Sequence, residues 1–149
     1  MPQQQPQHTN SPHRNAFRRI DRVRRRCDFL RIQRCGQKVY TAHFILLIQA
    51  NRERRRLGIT VTKHVSNSVG RNRVKRVLRE VFRINPRLFP EMSDVVVIAR
   101  SGAERLNYGN VYEELEKASG ALERAARVSR ECTAIDIQKE PSNSGSAKK

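Results

Sequence analysis

Cysteine, acidic side chains and long apolar runs are all scarce in this chain, and each shortage excludes something. The cysteines, Cys27, Cys35 and Cys132, are odd in number and form no CxxC pair, which argues against a disulfide framework and against a zinc site. No apolar run exceeds five residues, and FILLI from Phe44 to Ile48 is strand-sized and far too short to cross a bilayer. The opening MPQQQPQHTNSPH has no apolar core, so a secretory signal is not expected. Residues 1–13 contain no Lys, Arg, Asp or Glu and are rich in Pro and Gln. That segment and residues 131–149 are expected to be disordered tails around one domain spanning 14–130.

Recognisable catalytic patterns are missing too. There is no HExxH, no carboxylate cluster and no paired nucleophile and base. His8 and His13 fall in the tail, while His43 and His64 fall on strands or their ends. Asp21, Asp28, Glu53 and Glu80 are scattered, and metal-assisted hydrolysis needs converging ligands. No catalytic residue and no metal ligand is therefore expected on the protein itself.

What is present in excess is positive charge. The chain holds 31 Lys and Arg against 14 Asp and Glu, a net charge of +17. Residues 14–87 carry 22 basic and 4 acidic side chains, and the remainder of the domain is nearly balanced. Charge this concentrated opposes compaction and points to one surface that meets a polyanion.

The periodicities alternate between helix and strand. Asp28 to Arg34 reads as a short helix stopped by Gly36. VYTAHFILLIQA reads as one strand or two, and NRERRR as a hairpin tip. In LGITVTKH, Leu57, Ile59 and Val61 face one way and Gly58, Thr60 and Thr62 the other. SDVVVIAR reads as a central strand buried on both faces, and Tyr108 to Ser129 as a last helix. Together these predict an α+β domain with one sheet and about three helices.

The densest signal is SVGRNRVKRVLREVFR, from Ser68 to Arg83. Val74, Val77, Leu78, Val81 and Phe82 follow i, i+3, i+4, i+7, i+8 and form one apolar side. Ser66 or Asn67 is placed to cap this helix, and Asn85-Pro86 to end it. Arg73, Lys75, Arg76, Arg79 and Arg83 occupy the other side, with Asn72 among them. A solvated helix normally mixes signs to gain i,i+4 pairs, yet only Glu80 offers an acidic partner. Guanidinium groups hold phosphate through parallel hydrogen bonds, so this face suits a phosphate backbone. A strand, not a second helix, leads into it, which disfavours a helix-turn-helix reader of duplex DNA.

Here the chain resembles the bacterial ribonuclease P protein family. The resemblance rests on VTKHVSNSVGRNRVKRVLREVF, on Gly58 in RRLGITVTK, on DVVVIAR, and on FRRIDRVRRRCDF with Phe17, Arg22 and Phe29. It spans roughly residues 16–127. It implies a small two-layer α-β sandwich, a central, mostly antiparallel sheet and a left-handed strand-helix-strand crossover. It implies a non-catalytic, RNA-binding subunit of a cytoplasmic ribonucleoprotein that removes the 5′ leader from precursor tRNA. The RNA subunit would catalyse and would hold the magnesium. The implied partners are ribonuclease P RNA and precursor tRNA, with no membrane and no obligate protein partner.

Carried over by position, Lys63, Arg71, Asn72, Arg73, Lys75, Arg76 and Arg79 would contact the catalytic RNA. Arg71 lies nearer the apolar side and is also placed to brace the turn before the helix. Phe17, Phe29 and Phe44 would line a leader-binding cleft between the first helix and the sheet, where bases stack on rings without sequence preference; core packing is the alternative for each ring and the leading one for Phe44. Two aromatics common in the family are replaced by Gln33 and Leu47. The competing readings are a ribosomal or other structural RNA-binding protein, which needs the basic helix but no leader cleft, and a DNA-binding regulator.

Overall fold

The computed structural model describes residues 17–139 and turns these patterns into three α-helices and four strands. In chain order they are α1 (Arg26–Cys35), β1 (Gln37–Tyr40), β2 (Phe44–Ala50), β3 (Arg56–Thr60), α2 (Ser68–Ile84), β4 (Ser93–Ala99) and α3 (Tyr108–Lys139). The strands form one sheet in the order β1-β2-β4-β3. β1 pairs antiparallel with β2, and β2 antiparallel with β4, while β3 runs parallel to β4. The fold is α+β with a mostly antiparallel sheet, and α2 is the crossover between the parallel neighbours β3 and β4.

Alternation along the strands sorts the two faces of the sheet. Phe44, Leu46 and Ile48 of β2 enter the main core with Leu57, Val95 and Val97. Val74, Leu78 and Val81 of α2 and Val111, Leu115 and Leu122 of α3 close that core. Leu47 and Val96 point the opposite way, into a smaller cluster with Val23 and Ile32. Thus α2 and α3 cover one face, and α1 covers part of the other through Ile32, its one buried residue. Each such side chain, fully buried, stabilises the fold by roughly 1.5–3 kcal/mol before entropy is counted.

Several boundaries differ from the sequence reading. α1 begins at Arg26 rather than Asp28. The segment after it forms two strands, separated at Thr41–His43. Residues 51–55 do not form a hairpin tip, because β4 lies between β2 and β3. The thoroughly apolar β4 gains most by being covered on both edges and both faces, so it takes the central place. The loop therefore spans two strand spacings, about 10 Å. β3 stops at Thr60, and a turn at Lys63–Val65 precedes α2.

α3 runs on to Lys139, past Ser129 and into the stretch expected to be a tail from 131. No Gly or Pro interrupts the sequence between Ala121 and Glu140, so nothing local stops the helix. Ser129 is buried, and its Oγ accepts a hydrogen bond from the Ala50 N–H at 2.8 Å, which ties α3 to the end of β2. The expected tail at 1–13 and the remainder of the C-terminal tail, 140–149, lie outside the described residues.

Candidate nucleic-acid interface

α2 starts where the sequence places its cap. The Asn67 side chain accepts a hydrogen bond from the Gly70 N–H at 2.9 Å. Arg71 Nη1 donates to the Ser66 carbonyl at 3.0 Å, so this arginine braces the turn. Asn85 ends the helix, and Pro86 opens the 3-10 turn that follows.

The apolar side of α2 is buried at Val74, Leu78, Val81 and Phe82. Asn72, Arg76, Arg79 and Arg83 recur at i, i+4, i+7 and i+11, a row on the side away from the core. Glu80 is taken by Arg83, which donates to it through both Nε, at 3.2 Å, and Nη2. These hydrogen bonds hold the Glu80 carboxyl below its ordinary value. Among the described residues, Arg73, Lys75, Arg76 and Arg79 have no carboxylate within ion-pair distance. The helix therefore presents uncompensated cations.

The segment before α1 supplies the facing wall. The Val23 N–H donates to the Leu57 carbonyl at 3.0 Å, and Arg22 forms a parallel bridge with Leu57. The chain here is a short extra strand on the free edge of β3. Val23 is buried against the sheet, so by alternation its neighbours Arg22 and Arg24 stand outward and are exposed. Phe29 of α1 lies over Gly58, which has no side chain to hold the helix away from the sheet.

These elements enclose a groove of about 280 Å³. Phe17, Arg22, Arg24, Phe29, Gly58, Lys75 and Arg79 line it. Phe17 is half-buried; its ring packs edge-on against Phe82, with centroids 5.4 Å apart, and Arg22 lies 4.9 Å from its centroid. Burial, and then the nearby charge of Arg22, push the Arg79 guanidinium below its ordinary value. It stays protonated at neutral pH, because arginine starts so high. Two cations pressed together beside aromatic rings make a site that an anion would relieve.

The structure thus brings Phe17, Phe29, Lys75 and Arg79 together, while Asn72, Arg73 and Arg76 lie exposed on the same helix. Lys63 is exposed in the turn before α2. Phe44 is a correction. It is fully buried in the main core, on the opposite face of the sheet from α1, and cannot line the cleft. Leu47 does face α1 but is buried. Sequence alone assigns no role to Arg24, and none to Arg22 beyond the family match. Their signal was the alternation of Arg22-Val23-Arg24, obscured by the surrounding run of arginines.

A larger cavity, about 490 Å³, lies between the β1–β2 turn and α3. Glu113 and Glu114 outnumber its one cation, Lys117, so it does not suit a polyanion. Glu114 there accepts hydrogen bonds from Thr41 Oγ1 at 2.5 Å, the His43 N–H at 2.7 Å and His43 Nδ1 at 2.8 Å. Burial alone would raise the Glu114 carboxyl, but these bonds outweigh it and hold it below its ordinary value.

Comparison with known proteins identifies the family. Residues 17–123 match the Ribonuclease P family. The chain belongs to the ribonuclease P protein family. A ribonuclease P protein component from Syntrophobacter fumaroxidans is 45% identical over 103 residues, covering 68% of this chain and 87% of the relative. The protein of the same description from Syntrophus aciditrophicus is 38% identical over 101 residues, covering 67% and 85%. The solved RNase P protein from Thermotoga maritima superposes with a TM-score of 0.61 at 34% identity, covering 69% of this chain and 96% of that one. The Staphylococcus aureus protein gives 0.60 at 32% identity, covering 65% and 90%.

Membership makes the chain the protein subunit of an endoribonuclease that works as a ribonucleoprotein, with RNA as its partner. No helix among the described residues is long and apolar enough to cross a membrane. Nor do the described residues gather three or more His, Cys, Asp or Glu into a group that could hold a metal.

Proposed function

We propose that this chain grips the catalytic RNA of ribonuclease P with the outer face of α2, and the single-stranded 5′ leader of precursor tRNA with the adjoining groove. Asn72, Arg73, Arg76 and the turn residue Lys63 serve the first contact, with Arg71 setting the turn. Phe17, Phe29, Arg22 and Arg79 serve the second, and Lys75 stands where the two meet. Magnesium belongs to the RNA in this reading, and the assembly works in the cytoplasm.

The observation that carries the reading is the groove itself. It combines two rings with cations that have no carboxylate partner. Rings stack on any base and cations follow any backbone, so the site holds a single strand regardless of sequence. That matches the task of accepting many leaders. A purely structural RNA-binding protein has no need of such a groove.

Reconstitution tests it. The protein is added to a bacterial ribonuclease P RNA at low magnesium, and cleavage of precursor tRNA is followed as the leader is shortened. Activation that grows with leader length is the expected result. Tight RNA binding without leader-dependent activation would overturn the groove assignment.

A further inference from the structure

The groove does not end at Arg22 and Arg24. The same two arginines line a second cavity of about 480 Å³, together with Ile20, Arg25, Asp28, Glu53, Arg54 and Arg56. The two cavities thus adjoin at these arginines, with α2 lining the first and the loop between β2 and β3 lining the second.

The charges of this second cavity are unevenly committed. Asp28 lies 3.7 Å from Arg56 and 3.5 Å from Arg31. Arg56 is also held by the buried Asp94 through two hydrogen bonds of 2.7 Å. Among the described residues, Arg22, Arg24, Arg25 and Arg54 have no carboxylate within ion-pair distance. Glu53 is the one lining acid without an ion-pair partner of its own.

The wall that carries Arg54 is built rather than loose. Asn51 Nδ2 donates to the Arg54 carbonyl and to Asp94 Oδ1, both at 2.7 Å. Asn51 Oδ1 accepts from the N–H groups of Glu53 and Arg54 at 2.9 and 3.0 Å. The loop is therefore tied to a buried carboxylate in the sheet. A cation held in place loses less freedom on binding than one on a free loop.

We infer that Arg25 and Arg54 form a separate phosphate-binding subsite, which holds the single-stranded RNA leader at a point further along its backbone than the aromatic groove. This inference rests on the groove being the leader's site. Continuity through Arg22 and Arg24 sets the ligand, because one strand leaving the groove meets these arginines next. The exposed Ile20 gives a sugar or base an apolar surface beside them.

The test uses the reconstituted holoenzyme at saturating protein. Affinity is measured for precursor tRNAs whose leaders grow one nucleotide at a time, with wild type, R25A/R54A, R25K/R54K and R79A. All three replaced side chains, Arg25, Arg54 and Arg79, reach solvent, and melting curves confirm that each variant is folded. R25A/R54A should match wild type over one range of leader lengths. Over another it should fall roughly three- to ten-fold below, with a salt slope smaller by about 1.4. R79A should depart from wild type at a different length, and R25K/R54K should recover most of the loss.

Equal affinity of R25A/R54A and wild type at every length would overturn the subsite. So would a loss of the same size at all lengths, or a loss in affinity for the catalytic RNA instead of the substrate. If wild type itself gained nothing from a leader, the groove reading would fail, and the subsite with it.

Discussion

Gly58 lies directly beneath the ring of Phe29. A methyl group on Gly58 would come within 2.9 Å of two ring carbons and 3.1 Å of the Val23 Cβ. The missing side chain lets both α1 and the segment before it approach the sheet, and that approach forms the floor of the groove. Gly58→Ala should therefore push Phe29 out of place. We expect a loss of about 1–3 kcal/mol in stability by denaturant unfolding, with weaker dependence of substrate affinity on leader length. Unchanged stability and unchanged leader dependence would show that α1 can shift without consequence.

Arg76 and Lys75 are neighbours on α2 with different surroundings. Arg76 is exposed on the outer row, whereas Lys75 also lines the groove. Arg76→Ala should weaken binding to the catalytic RNA and lower the salt slope by about 1. Lys75→Ala should do this and also reduce the gain from a longer leader. Titrations of labelled RNA at several salt concentrations, then substrate binding by the holoenzyme, separate the two effects.

Asp94 is wholly buried, and Arg56 and Asn51 both hydrogen-bond to it. Arg31 of α1 lies 3.6 Å away. Removing one partner of a buried pair leaves the other uncompensated, so Asp94→Asn should cost about 3–5 kcal/mol. The loss should appear in urea unfolding, together with faster amide exchange in the 51–55 loop. A cost below about 1 kcal/mol, the range of exposed pairs, would mean that water already satisfies Arg56.

Glu114 ties α3 to the β1–β2 turn, and its folded carboxyl sits below the ordinary value. A group depressed in this way stabilises the fold above its unfolded pKa, near 4.3–4.5. That contribution is lost as pH falls through the folded value. Glu114→Gln should therefore be less stable than wild type at neutral pH, and the gap should close as the solution is acidified below the ordinary carboxylate range. A gap that stayed constant across this range would mean that the charge of Glu114 plays no part.

Local chemistry determined much of this protein. The 3.6-residue rhythm of Val74, Val77, Leu78, Val81 and Phe82 specified α2 and both its faces, because a helix repeats its contacts at that period. Asn67 and Pro86 marked its ends through hydrogen bonding and steric exclusion. The scarcity of acids between Arg14 and Arg87 identified a polyanion surface from composition alone. The resemblance carried by RNRVKR and its neighbours supplied the family.

Tertiary structure decided the rest. Alternation says that a strand has two faces, but not which helix covers which. Phe44 therefore went to the α2–α3 core, and the groove was left to Phe17 and Phe29. Strand order was equally hidden, since the pairing of β4 between β2 and β3 depends on competition among distant apolar surfaces. Arg22 and Arg24 joined Lys75 and Arg79 only when the segment before α1 took the free edge of β3. That edge bond links residues far apart in sequence, and no local period records it.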